Sequence, residues 1–177
     1  DSPLVQLRAR LPWLLIGLAG GIVSSRIIAQ YEGQLRIDPT MAFFMPLIAA
    51  TAGNVGVQSS AIVVQGLASG SMANVNLGAR LWKELRVALL TAIVCGALIF
   101  AIDFALEQTQ ALTYTVSIAL FTVILTAAMF GTVIPLVLDR MKVDPALATG
   151  PFVTTLNDIF GLLTYFTVGH LMYELLS

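Results

Sequence analysis

The sequence predicts an all-α integral membrane domain with five spanning helices. Of its 177 residues, 58% are hydrophobic and only 11% are charged, against roughly 25% charged in an ordinary soluble domain. Mean hydropathy is +0.90. Apolar stretches of about 20 residues, long enough to cross lipid at 1.5 Å rise per residue, recur between short polar breaks. The whole chain, 1–177, reads as a single membrane domain.

The five spans are expected at 11–31, 41–68, 86–106, 112–138 and 150–175. The breaks read EGQLRIDPT, ASGSMANVNLGARLWKELR, EQTQ and DRMKVDPALATGP. Within the second break, Leu77, Leu81, Trp82 and Leu85 alternate with Arg80, Lys83 and Glu84. That amphipathic pattern predicts a short helix lying in the interface. Pro12 and Pro151 are placed near helix starts, where proline costs little. Pro46 and Pro135 fall inside spans, where they kink the helix unless the freed carbonyls find partners. Gly17 and Gly21 form a small-xxx-small pair that predicts a close helix contact.

Seven of the nine basic residues fall on one side of the bundle. Arg8 and Arg10 precede span one, Arg80, Lys83 and Arg86 lie between spans two and three, and Arg140 and Lys142 lie between spans four and five. The other side has Arg36 and, near the end of span one, Arg26. This imbalance predicts a cytoplasmic N-terminus and an outward C-terminus. No cleavable signal peptide is visible, and the start without Met is that expected of a membrane domain belonging to a longer polypeptide. The net charge of −1, with no basic run interleaved with aromatics, argues against nucleic acid as a partner. Cys95 is the only cysteine, so no internal disulfide can form.

An odd number of spans rules out paired inverted repeats within one chain. A route across the membrane through such helices would be completed by a second copy. The residue that suggests a route is Asp158, in PFVTTLNDIFGLL. It falls roughly 12 Å into a core about 30 Å thick, where a carboxylate costs on the order of 3 kcal/mol. Thr154 and Thr155 precede it by one turn on the same face, and Asn157 adjoins it. A second polar focus, TAGNVGVQSS, puts Gly53, Asn54 and Gln58 into span two. With Thr155 and Asn157 these are the candidate pore-lining residues, although small residues and amides also serve as packing between membrane helices.

With one Cys and one His, soft metals lack their usual ligands. Oxygen donors suit hard cations, and Mg²⁺ is commonly held through one or two carboxylates while keeping several waters. Two Asp158 side chains facing each other across a wet two-fold axis meet that description; Ca²⁺ or a proton relay could use similar parts. His170 is read as structural, and Asp103 and Glu107 as residues of the interface or pore mouth. No Ser–His, paired-Asp or HExxH arrangement suggests an enzyme.

Three segments, PLIAATAGNVGVQSS (46–60), VDPALATGP (143–151) and TTLNDIFGLLTYF (154–166), resemble the membrane domain of the bacterial MgtE magnesium transporters and channels. The five-span, N-in layout agrees along nearly the whole chain. The resemblance implies a multi-pass protein of the inner membrane and a homodimer, with a Mg²⁺ pore on the two-fold axis. It implies that Asp158 binds hydrated Mg²⁺, helped by the Thr154 backbone carbonyl, with Asn54 near the pore. Asp144 matches a position associated with cytosolic Mg²⁺ sensing at the gate. The family's cytosolic N-domain and paired CBS domains are not part of these 177 residues. Where the family often has GTGGN, this chain has ATAGN. The competing expectations are a Na⁺- or H⁺-coupled divalent cation carrier and a non-conducting membrane scaffold.

Overall fold

The computed structural model describes residues 2–71 and 76–176. Six helices account for nearly all of it: α1 (Pro3–Gln30), α2 (Glu32–Ile37), α3 (Met41–Ala68), α4 (Leu77–Ala105), α5 (Gln110–Arg140) and α6 (Pro145–Leu176). Five are long and apolar enough to cross a membrane, and α2 is a single short turn-like helix between α1 and α3. Large apolar side chains such as Leu14, Leu18, Leu90, Val94 and Leu98 are exposed along the outer faces. Such a surface is stable in lipid, where backbone groups must be satisfied within each segment and helices do this completely.

The helices extend further than the apolar stretches. The amphipathic piece at 77–85 is not a separate interfacial helix but the first turns of α4, continuous to Ala105. Residues 72–75 of that linker lie outside the described residues. Helix formation is cooperative, so polar residues beyond the lipid boundary propagate the helix unless something caps it. Here Asn76 does so, its side chain accepting from the Gly78 N–H at 2.9 Å. Likewise α1 starts at Pro3 and α6 at Pro145, so Pro12 and Pro151 lie inside helices and not at their starts.

The central helix is α5, which packs against α3, α4 and α6. Its core face includes Leu112, Val116, Ala119, Val123, Ile124 and Ala127, all essentially buried. Several of its threonines return their hydroxyls to the helix, Thr115 to the Ala111 carbonyl at 2.6 Å and Thr132 to Ala128 at 3.0 Å. That leaves them polar but satisfied in lipid. In contrast, α1 packs almost wholly on α6. Tyr31 stacks on Phe166 with ring centroids 4.7 Å apart, and Trp13 meets Phe152 edge-on at 6.4 Å. The close α1 approach is made by Gly20, where a Cβ would run into the Thr155 side chain, and not by Gly17 or Gly21, which have open space beside them. The close contact expected of the Gly17–Gly21 pair is thus not made by either, because the rotation of α1 about its axis turns Gly20 toward α6 instead.

At the end of the bundle that carries α2, Asp38 ties three elements together. Its carboxylate accepts from the Thr40 hydroxyl and N–H and, at 2.5 Å, from the Tyr173 hydroxyl of α6. Burial pushes the Asp38 carboxyl up, but the hydrogen bonds from Thr40 and Tyr173 outweigh it and hold it below the ordinary carboxylate range. A depressed folded-state value means the stabilisation is fully present above the unfolded value, about 3.9, and is lost as pH falls through the lower folded value. Amide protection across residues 38–44, with exchange corrected for its intrinsic rate at each pH, is therefore expected to be unchanged from pH 7 to pH 5 and to fall below about pH 4. Asp38→Asn should show the reduced protection already at pH 6. Equal protection of wild type and variant at pH 6 would show that the tether contributes nothing.

Candidate functional site

Asp158 lies nine residues past Thr149, where the apolar part of α6 begins, or about 13 Å along the helix. It is half-buried. Among the described residues it takes part in no ion pair. Two neighbours on α6 fix its direction. Asn157 faces α3: it is 2% exposed, donates to the Ala52 carbonyl at 3.1 Å, and occupies the space where a Gly56 Cβ would stand. Thr155 faces α1, against Gly20. At about 100° per residue, Asp158 and Thr154 fall on the arc between those two faces. The carboxylate thus sits on a strip of α6 flanked by α3 and α1, two helices that hardly touch each other.

The Thr154 hydroxyl donates to the Gly150 carbonyl at 3.0 Å and approaches that of Pro151 at 3.3 Å. On α3 the polar cluster divides. Gln58 lines the opposite flank, in a cleft between α3 and α4 together with Ser59, Arg80, Lys83 and Glu84. Gly53 lies roughly opposite that cleft by helical rotation, on the flank of α3 nearer Asp158. Asn54 is exposed between the two. So Asp158, Thr154 and Gly53 share one side, Asn157 and Thr155 serve as packing that orients them, and Gln58 points elsewhere.

Asp144 stands just before α6, exposed, its carboxylate accepting from the Ala146 N–H at 2.9 Å. This is an N-cap interaction, about 14 residues from Asp158 and thus roughly 20 Å away along the helix. His170 is exposed and lies 3.2 Å from Glu174, four residues on. Among the described residues no three His, Cys, Asp or Glu side chains converge.

Three features escaped the sequence. Asp103, expected at the interface, is fully buried on α4 with no partner among the described residues for either carboxylate oxygen. The Ser59 hydroxyl donates to Glu84 at 2.5 Å, joining α3 to the start of α4 across 25 residues. Gly131 of α5 meets the Gly56 backbone directly. None has a local signal, because each depends on which way a helix is turned.

The all-helical bundle with five lipid-crossing helices is a multi-pass membrane protein, in bacteria one of the inner membrane. Residues 45–168 match the MgtE family, described as a divalent cation transporter, and the chain belongs to that family, one of transporters and not enzymes. It is 38% identical over 159 residues to the magnesium transporter MgtE of Bacillus subtilis, covering 90% of this chain and 35% of the relative. The Enterococcus faecalis protein of the same name is 34% identical over 168 residues, 95% of this chain and 37% of the relative. That of Thermus thermophilus is 32% identical over 178 residues, 98% of this chain and 38% of the relative. The chain thus spans little more than a third of the length of these curated relatives.

Proposed function

We propose that this chain forms, as a homodimer, a channel-like pathway for Mg²⁺ along a two-fold axis, with the hydrated ion held between two Asp158 carboxylates. The observation that carries the reading is the position of Asp158: a half-buried acid, in no ion pair among the described residues, on a strip of α6 that its own chain leaves uncovered. A carboxylate so placed needs either a proton or a cation, and a second copy supplies symmetric charge to attract one. Mg²⁺ suits the donors, since it binds through few carboxylates and retains its waters. The relatives named magnesium transporter support the choice of ion.

In this reading Thr154 contributes its carbonyl and Gly53 and Asn54 line the path beside the ion. Thr155 and Asn157 hold α6 at the angle that aims Asp158, and Gln58 stands on the outer flank of α3. The N-terminus is cytoplasmic, and Asp144, at the basic end of α6, couples the pore to cytosolic domains of the same polypeptide. Uptake of Mg²⁺ by the purified chain in liposomes tests the reading. Uptake should follow the Mg²⁺ gradient alone and persist when Na⁺ is absent and the pH gradient is collapsed. Asn54→Cys should cross-link between copies. Uptake that stops without a Na⁺ or pH gradient would favour a coupled carrier, and no uptake at all would favour a scaffold.

A further inference from the structure

The cleft between α3 and α4 has a composition that transport along the Asp158 strip does not use. The two helices flank α5 without packing closely on each other. Between them lies a cavity of about 210 Å³ floored by Ala128 of α5. The Ser59–Glu84 bond sets the register of the two helices: toward the start of α4 the lining is mainly polar, with Gln58, Ser59, Arg80, Lys83 and Glu84 and with Ile62 beside them, and further along α4 it is apolar, with Val55, Val87 and Ala88. Ile62 and Val87 on its rim are more than half exposed, at 54% and 52%, so the cavity opens sideways onto the lipid-facing surface.

The polar end carries an excess of positive charge. Glu84 is engaged by the Ser59 hydroxyl at 2.5 Å. The Thr91 hydroxyl is used by the Val87 carbonyl at 2.9 Å. Among the described residues neither Arg80 nor Lys83 forms an ion pair. The Arg80 Nε is buried and, among the described residues, has no acceptor. A guanidinium N–H held out of water without an acceptor is costly, and guanidinium groups match phosphate oxygens in geometry and charge. Next to it, Trp82 lies exposed with the Arg86 guanidinium 5.0 Å from its ring centre, the pairing found where a helix passes through the headgroup layer.

We infer that this cleft binds an anionic phospholipid, its phosphate between Arg80 and Lys83 and its acyl chain along Val55 and Val87. Two features favour a lipid over a soluble phosphate compound. The opening is lateral and apolar, and the volume falls short of the roughly 300 Å³ at which pockets for whole small molecules begin. A headgroup phosphate fits inside while the chains remain in the bilayer. The bound lipid would sit against the Ser59–Glu84 bond that joins α3 to α4.

Native mass spectrometry of the chain in non-ionic detergent, with equal amounts of phosphatidylglycerol and phosphatidylcholine, tests this. Wild type should retain the anionic lipid in preference. Arg80→Gln and Lys83→Gln should each lower that preference about fivefold. Arg86→Gln, whose side chain stands outside the cavity, should leave it unchanged, and inorganic phosphate at tenfold excess over lipid should not displace the adduct. An equal loss in Arg86→Gln would mean diffuse surface charge and would overturn the site. So would a preference that survives both Arg80→Gln and Lys83→Gln, or displacement by inorganic phosphate. Anionic lipid bound to the monomer but excluded from the dimer would show that a second copy, and not lipid, covers the cleft.

Discussion

Asp158→Ala and Asp158→Asn should each reduce the initial rate of Mg²⁺ uptake into proteoliposomes by about tenfold or more, because rings of acidic side chains supply the attraction that draws cations into a pore. The two variants separate charge from shape, since Asn keeps the size and loses only the charge. Neither should unfold the protein. Asp158 takes part in no ion pair among the described residues, so its removal orphans no buried charge, whereas breaking a buried pair would. Neutralising an acid in lipid removes a cost on the order of 3 kcal/mol on insertion scales. The expected signature is thus lost flux with an unchanged or raised melting temperature. Asp158→Glu retains the charge on a longer arm and should fall between. Undiminished uptake in both neutral variants would remove Asp158 from the pathway.

The largest stability effect is expected at Gly131. A Cβ there would run into the Gly56 carbonyl oxygen and stand 2.9 Å from the Ser59 Cβ. The obstacle is backbone, so α3 and α5 must move apart; no side chain can simply rotate away. Gly131→Ala is expected to cost about 3 kcal/mol, at the upper end of typical overpacking, and Gly131→Val more. The disturbance also reaches the site. Gly56 holds Asn157 on its other side, Asn157 donates to Ala52, and Asp158 is the next residue along α6. Gly96→Ala provides the contrast: its Cβ would find the Ser117 carbonyl at 3.6 Å, ordinary contact. Thermal unfolding of the two alanine variants in detergent checks the difference. If Gly131→Ala melts with wild type, the α3–α5 contact is looser than its geometry implies.

Much of the architecture could be read directly from the chain. Five apolar lengths predicted five spans, and five helices of spanning length are present among the described residues. Asp158 was visible because a charge in an apolar run is costly wherever the helix points. The segments 46–60, 143–151 and 154–166 led to the family that the match over residues 45–168 shows. The exact ends were less legible. The polar turns at 77–85 extend α4 in place of forming a surface helix, because the Asn76 cap, and not the lipid boundary, sets where the helix begins.

Facing was the hardest to read. A helix in water betrays its buried side through an apolar stripe. In lipid, both the packed and the outer faces are apolar, and that stripe fades. Hence Gly20 and not Gly17 or Gly21 meets α6, Gln58 turns toward α4, Asn157 enters the α3 seam, and Asp103 is fully enclosed. Length and hydropathy alone determined how many times this chain crosses the membrane and where its costly carboxylate lies. The direction in which each polar side chain points was decided only when the helices packed, because that choice depends on close contacts between residues far apart in the chain.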